Sequence, residues 1–389
     1  MIKTFLKASV GALAISLTIG TAAMAEDSFK LGYLGGLTGY LAPYDQPSLD
    51  GVQFGVDEIN AAGGIQGKMK IELLSRDMRS ETAEAAVMAQ ELVSEGVNFL
   101  IVPCDVDPAI AAGQIAAAAG IPAMSSCAST PTLPGIVGEF MFSNYTADNL
   151  QAAALANHAI EQGHKNALVM LSKDTPYTQK LPEYFSQAFQ AKGGAVAGVL
   201  EYKMGQQDFA VEVTKIKAIT PAPDVIMTSA YEPDFPAFIK ALRAAGVTAP
   251  VLGSDGIDSP TTMALGDVAE GVVFSNAGFV VEGSPLAKFY ADFKAAKGKE
   301  PETVFVATGY DIIKLLDAAV GASGGKIDGK SLRDAVDGLE NVNVSTGTMT
   351  FKGMNRVPLR TVALNKVTGG AKTFVKQVTL APADVPPAQ

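Results

Sequence analysis

Two aspartates stand two residues apart in the run "FLIVPCDVDP", where the apolar residues Phe99 to Val102 give way to Cys104, Asp105 and Asp107. Paired carboxylates can divide acid and base work between them, as in glycoside hydrolysis. An aspartate can also cap a helix, and one that precedes a proline at the first helical position is a favoured N-cap. Asp107 before Pro108 fits that capping role. Asp105 has no such duty in the sequence and faces whatever collects at the strand end. Other chemistry finds little to work with. Cys127 has no nearby histidine to activate it, and His158 and His164, the only histidines, flank a loop without a further pair at metal-ligand spacing. Gly324 to Ser331, "GGKIDGKS", matches a phosphate-loop pattern literally. A phosphate loop must follow a buried strand, whereas the residues before it have the helical spacing Ile312, Leu316, Ala319. The segment reads as a polar loop in which Ser331 caps the next helix. No cofactor and no metal is expected.

The elements that must position these residues alternate. Strand-like runs occur at "FKLGYLG", "KIELLSRD", "FLIV", "PAMSS", "NALVMLS", "AVAGVLEYK", "DVIMTS", "PVLGS" and "GVVFS", from Phe29 to about Gly278. Between them lie helical stripes: Leu49, Val52, Val56 and Ile59; Leu181, Phe185 and Phe189; Phe209, Val213 and Ile216. Parallel strands need crossover connections, so this alternation implies an α/β fold with doubly wound sheets. Ligands in such sheets gather at the carboxyl ends of the strands, where "CDVDP" falls. Beyond Gly278 the pattern changes to helices at Pro285 to Lys297, Thr303 to Val320 and Ser331 to Leu339, followed by short strands and turns. The Pro-rich end, residues 381–389, reads as a mobile tail.

Lys3 and Lys7 precede an apolar run, Ala8 to Ile19, that closes on Ala23-Met24-Ala25, the pattern of an export signal cleaved after Ala25. The expected compartment is the periplasm. Cleavage leaves 364 of 389 residues and, with two lysines gone, moves the formal charge from −10 to −12. A chain of that length implies two domains, and its acidity argues against nucleic acid or anionic membrane as a partner. Cys104 and Cys127 are the only cysteines. In an oxidising compartment they are expected to form a disulfide joining the ends of adjacent strands.

The segment "LGYLGGLTGYLAPYDQPSLDGVQFGVDEINAAGGIQGKMKIELLSRD", above all "GVQFGVDEINAAGGIQG", resembles the opening of the periplasmic solute-binding proteins of the branched-chain amino-acid type, which feed ABC importers. The resemblance runs over essentially the whole mature chain. It implies two Rossmann-like lobes joined by three crossovers, near Tyr145, Gly278 and Lys352. The lobes would be residues 27–145 plus 279–352, and 146–278 plus 353–380. It implies no enzyme activity, a small-molecule solute as ligand, an inner-membrane ABC permease as partner and a monomer. A receptor for a membrane sensor is an alternative, since both uses rest on lobe closure.

By the same resemblance, "SSCASTP" would hold a ligand through backbone groups of Cys127 and Ala128 and the hydroxyl of Ser129. Tyr177, Tyr231 and Asp255 would reach in from the second lobe, with Thr38, Tyr40 and Tyr44 bordering the cleft; the two second-lobe tyrosines could instead be surface residues. Asp105 stands where amino-acid-binding members offer a serine to the ligand carboxylate. That substitution implies an amine-bearing or polyhydroxylated solute, with an amino acid as the alternative.

Overall fold

The computed structural model describes Met1 and residues 28–389; the export signal and its cleavage site lie outside the described residues. The first sheet contains β1 (Phe29–Gly35), β2 (Ile71–Asp77), β3 (Phe99–Val102), β4 (Ala123–Ser125) and β5 (Met141–Ser143), all parallel in the order β2-β1-β3-β4-β5. Between them run α1 (Ala42–Ala61), α2 (Thr82–Ser94), α3 (Val106–Ala118) and α4 (Leu133–Val137). Successive strand residues point to opposite faces, and both faces are covered. Leu31, Tyr33, Phe99 and Ile101 pack with Val52 and Val56 of α1, whereas Leu34, Leu100 and Val102 pack with Ala89, Leu92 and Ala109 of α2 and α3.

The chain then leaves this sheet through α5 (Asp148–Glu161) and builds a second one. Its parallel strands are β6 (Asn166–Leu171), β7 (Ala195–Glu201), β8 (Val225–Thr228), β9 (Val251–Gly253) and β10 (Val273–Asn276). They are connected by α6 (Pro176–Ala191), α7 (Ala210–Ala218), α8 (Asp234–Ala244) and the short α9 (Pro260–Met263). After β10 the chain returns to the first sheet as α10 (Pro285–Lys297), α11 (Phe305–Ala322), α12 (Gly329–Asp337) and a hairpin of β11 (Val342–Val344) and β12 (Gly347–Met349). It finishes in β13 (Val362–Thr368) and β14 (Ala371–Val378), which extend the second sheet antiparallel to β10, in the order β14-β13-β10-β9-β8-β6-β7. The fold is therefore two doubly wound α/β lobes.

Two glycines fix how α11 lies on α1. A Cβ on Gly51 would sit 1.7 Å from the Val306 carbonyl oxygen, and one on Gly309 would sit 2.1 Å from that of Ser48. Only glycine admits such backbone contact. The close crossing carries Phe305, at the first turn of α11, to the edge of the interlobe cleft.

Three local expectations need correction. Helix α3 begins two residues earlier than "DP" implies, so Asp105, with extended backbone, is its N-cap and accepts from the Val106 amide at 2.7 Å, while Asp107 sits half-buried in the first turn. Ser331 does not cap α12; Asp328 does, accepting from the Ser331 amide at 3.0 Å. Residues 381–389 lie against α5 and α6, where Asn149 donates to the Pro386 carbonyl at 2.8 Å and the Gln389 amide donates to Tyr184 Oη at 2.7 Å.

Candidate ligand-binding site

Strand ends of both sheets contribute to one cavity. Tyr44 comes from the first turn after β1, Cys104, Asp105 and Val106 from the β3 end, and Cys127 and Ser129 from the β4 end. The opposite wall is Tyr177 after β6, Tyr231 after β8, and Asp255 and Gly256 after β9. Leu41 and Phe305 complete the lining, with no lysine or arginine among these residues. The carboxyl ends of both sheets thus converge, as doubly wound folds require of a binding crevice.

Tyrosine hydroxyls join the two lobes across this cavity. Tyr231 Oη donates to Asp105 Oδ2 at 3.1 Å. Tyr44 Oη donates to the Gly256 carbonyl at 2.9 Å and accepts from the Glu232 amide at 3.0 Å. Within the second lobe, Tyr177 Oη donates to Asp255 Oδ1 at 3.1 Å and accepts from the Gly256 amide at 3.0 Å. The rings form an edge-to-face chain: Tyr177 to Tyr231 at 5.8 Å, Tyr231 to Tyr44 at 5.9 Å, and Tyr44 to Phe305 at 5.7 Å between centroids. Such contacts hold a closed arrangement of the lobes. Tyr177 and Tyr231 are buried with bonded hydroxyls, which is not how surface tyrosines sit.

Charge in the cavity has one sign. Asp105 is 7 % exposed and Asp255 4 % exposed. Burial pushes the Asp105 carboxyl up to about 6, against the opposing pull of the Val106 amide and the Tyr231 hydroxyl. Burial likewise pushes Asp255 up to about 7, with Gln151 and Tyr177 favouring its anion. Asp45 is fully buried just behind the wall, with Oδ1 accepting from the Cys104 amide at 2.9 Å and Oδ2 from the Gly36 amide at 2.7 Å, and is also raised to about 7 by burial. Asp45 locks the β3 end in place rather than facing the cavity.

The amides expected to meet a ligand are engaged elsewhere. Ser125 Oγ accepts from the Cys127 amide at 3.3 Å and from the Ala128 amide at 2.8 Å, and the Ala128 carbonyl accepts from Ser143 at 2.8 Å. Ser129 remains in the lining. Thr38 is exposed and donates to Asp77 Oδ2 at 2.7 Å, so it lies outside the lining. Tyr40 is exposed and outside the lining; desolvation of its hydroxyl, and after that the nearby Asp105 carboxylate, raise its pKa. Sequence reasoning missed Leu41, Val106, Gly256, Phe305 and Asp148 around the site. Asp148 opens α5, is wholly buried, and donates its amide to the Ser129 carbonyl at 2.8 Å. Nothing in its neighbours' spacing marks it.

Cys104 and Cys127 form the expected disulfide, bridging the ends of adjacent parallel strands β3 and β4 with their Cα atoms 4.6 Å apart. The bridge lines the cavity and anchors both Asp105 and Ser129. Replacing both cysteines by serine should lower stability by about 3 kcal/mol, the chain-entropy value for a loop of this size, measured by urea denaturation. Two titratable thiols in the denatured, unreduced protein would contradict the bridge.

The comparisons agree with this architecture. The sequence profile described as periplasmic binding protein matches residues 28–372. A Leu/Ile/Val-binding protein of Rhizobium johnstonii is 26% identical over 349 residues, covering 89% of this chain and 93% of the relative. A leucine-binding protein from Thermotoga maritima superposes with a TM-score of 0.84 at 25% identity, covering 92% of this chain and 99% of that one. A branched-chain amino-acid transporter substrate-binding protein from Streptococcus pneumoniae, in complex with isoleucine, has the same fold, with a TM-score of 0.83 at 24% identity over 90% of this chain and 99% of its own. Two lobes closing on a cavity made from strand ends, and a family match over nearly the whole described chain, lead to one conclusion: the protein belongs to the periplasmic binding protein family, as a substrate-binding protein and not an enzyme.

Proposed function

We propose that this substrate-binding protein is exported with cleavage after Ala25, acts as a monomer, and carries a small solute bearing an ammonium group to an inner-membrane ABC permease. The crossovers near Tyr145, Gly278 and Lys352 would serve as the hinge. One observation carries the choice of ligand: the closed cleft buries Asp105 and Asp255 with no cationic side chain in its lining. Burying a carboxylate without compensation costs several kcal/mol, so the solute must bring positive charge or the acids must take up protons. The occupied amides of Cys127 and Ala128 support the same reading, because they leave little to hold a ligand carboxylate. Tyr44, Tyr177 and Tyr231 add faces suited to a cation. A polyol could donate hydrogen bonds to the acids but would leave their charge in place.

A second reading, a branched-chain amino acid, is favoured by what the relatives' names say of them. Ser129 would then hold the carboxylate and Asp255 the ammonium group. Small-angle scattering tests the clamp. The radius of gyration should fall when a saturating alkylammonium salt is added, because binding favours the closed form by the ligand's differential affinity, and should not fall with sodium chloride alone. Superimposable curves at saturation would contradict it.

A further inference from the structure

We infer that Asp258 and Lys372, neither of which lines the cavity, form a latch between the lobes that sets how readily the cleft closes, whatever solute it takes. Asp258 is wholly buried in the turn after β9. Its Oδ1 accepts from Lys372 Nζ of β14 at 2.6 Å, and its Oδ2 accepts from Asn276 Nδ2 of β10 at 2.8 Å. Both partners belong to the second sheet. The same Oδ2 also accepts from the Val304 amide at 3.0 Å, and Val304 leads into α11, which packs on the first sheet. Lys372 Nζ spans the same boundary by donating to the Glu302 carbonyl at 3.3 Å.

Each end of this contact is fastened to a wall of the cavity. The Asp258 amide donates to the Asp255 carbonyl at 2.9 Å, so the carboxylate travels with Asp255 and Gly256. On the other side Val304 precedes Phe305, whose ring stacks on Tyr145 at 5.7 Å between centroids, and Tyr145 Oη donates to Asn276 Oδ1 at 3.1 Å. Bringing Asp258 to the Val304 amide therefore brings the two walls together. The arrangement also makes closure reversible. When the lobes part, the Val304 amide and the Glu302 carbonyl turn to water, while Asp258 keeps Lys372 and Asn276, which move with it. No charge is orphaned in either state. Without the lysine, closure would enclose the Asp258 carboxylate with no counter-ion, which a buried charge tolerates poorly, and opening would relieve it by admitting water. Lys372 thus favours the closed form.

The test is small-angle scattering of the mature protein and its variants, folding checked by circular dichroism, titrated separately with propylammonium chloride and with leucine so that the outcome does not hang on the class of ligand. Lys372→Met should need at least about tenfold more of whichever probe closes the unaltered protein to reach the same radius of gyration, given what truncating one partner of a buried charge pair costs. Lys372→Arg, which restores the charge, should stay within about threefold of the unaltered protein. In an Asp258→Asn background the lysine change should cost less than about threefold, because no charge is left to orphan. An unchanged titration in Lys372→Met overturns the latch. An equal loss with and without Asp258→Asn overturns the ion pair as its cause. Closure by leucine alone counts against the ammonium reading and leaves the latch to the same comparison. If neither probe closes the unaltered protein and its empty form scatters like that of Lys372→Met, the latch and the clamp fall together.

Discussion

Replacing Asp105 by asparagine should weaken a cationic ligand by more than about tenfold, since truncating one partner of a buried charge pair costs roughly 2 to 5 kcal/mol. The same change should strengthen an anionic ligand. The opposite signs separate an electrostatic role from a structural one, and the local geometry allows the substitution. Asp105 Oδ1 accepts from the Val106 amide and Oδ2 accepts from Tyr231 Oη. An asparagine keeps the first bond through its carbonyl, and its amide can donate to the tyrosine oxygen in place of the second. The helix cap and the link between the lobes would both survive. Calorimetry with one alkylamine and one aliphatic carboxylate on both proteins reads the result. Equal weakening of both ligands would mean that Asp105 supports the fold and does not face the ligand.

Affinity for a cation should also fall steeply with acid. Asp105 and Asp255 are raised by burial to about 6 and about 7 in the closed protein, against an ordinary aspartate near 3.9 when solvated. The sign follows from which form takes up more protons. Between roughly pH 4 and 7 the closed, empty cleft holds protons that an open, hydrated one has lost, so lowering the pH favours empty closure, and that advantage disappears as pH rises through the closed-state values. A cation must displace those protons. Its binding should weaken by about tenfold per pH unit for each proton displaced below these values, because one unit corresponds to about 1.4 kcal/mol. Dissociation constants measured from pH 8 to pH 5 should therefore climb by about a hundredfold or more, with the change concentrated below pH 7. Proton release should accompany binding at pH 6, detectable as a dependence of the calorimetric heat on the buffer's own ionisation enthalpy. A constant affinity across this range would mean either that the empty cleft is open with both acids already ionised, which unchanged scattering curves on ligand addition would rule out, or that neither acid meets the charge of the ligand.

Much of the scaffold was legible because it rests on periodicity and punctuation. "FKLGYLG" and "FLIV" are β1 and β3 residue for residue, and Pro285 to Lys297 is α10. Strand β5 was not legible: "MFS" has three residues, too few for any period to register. Nor could local pattern show that β13 and β14 return to the second sheet, since their partner β10 lies about ninety residues earlier in the chain and the pairing is set by tertiary packing. The exchange of caps between Asp105 and Asp107 has a similar origin. Both are good capping residues, and the choice depends on the extended backbone that β3 imposes on Asp105 at φ −85° and ψ 148°. At the cleft, Asp105, Tyr177, Tyr231 and Asp255 sit at strand ends where apolar runs stop, and that abrupt change is visible in sequence. Asp45 and Asp148 lie in first helical turns, where an acid is ordinarily a solvated partner of the helix dipole, so nothing in the sequence marked them as buried.

The account's central claim is that the closed cleft takes a cation. A thermal-shift titration of the unaltered mature protein tests it most directly, because a ligand that binds only the folded state raises the melting temperature by an amount that grows with the logarithm of its concentration over its dissociation constant. Alkylamines should raise it in a concentration-dependent way at pH 8, while aliphatic carboxylates and uncharged alcohols of equal size leave it unchanged. If leucine or valine stabilised the protein at micromolar concentration and no amine lacking a carboxylate did so, the charge argument would be wrong and the cleft would belong to an amino acid.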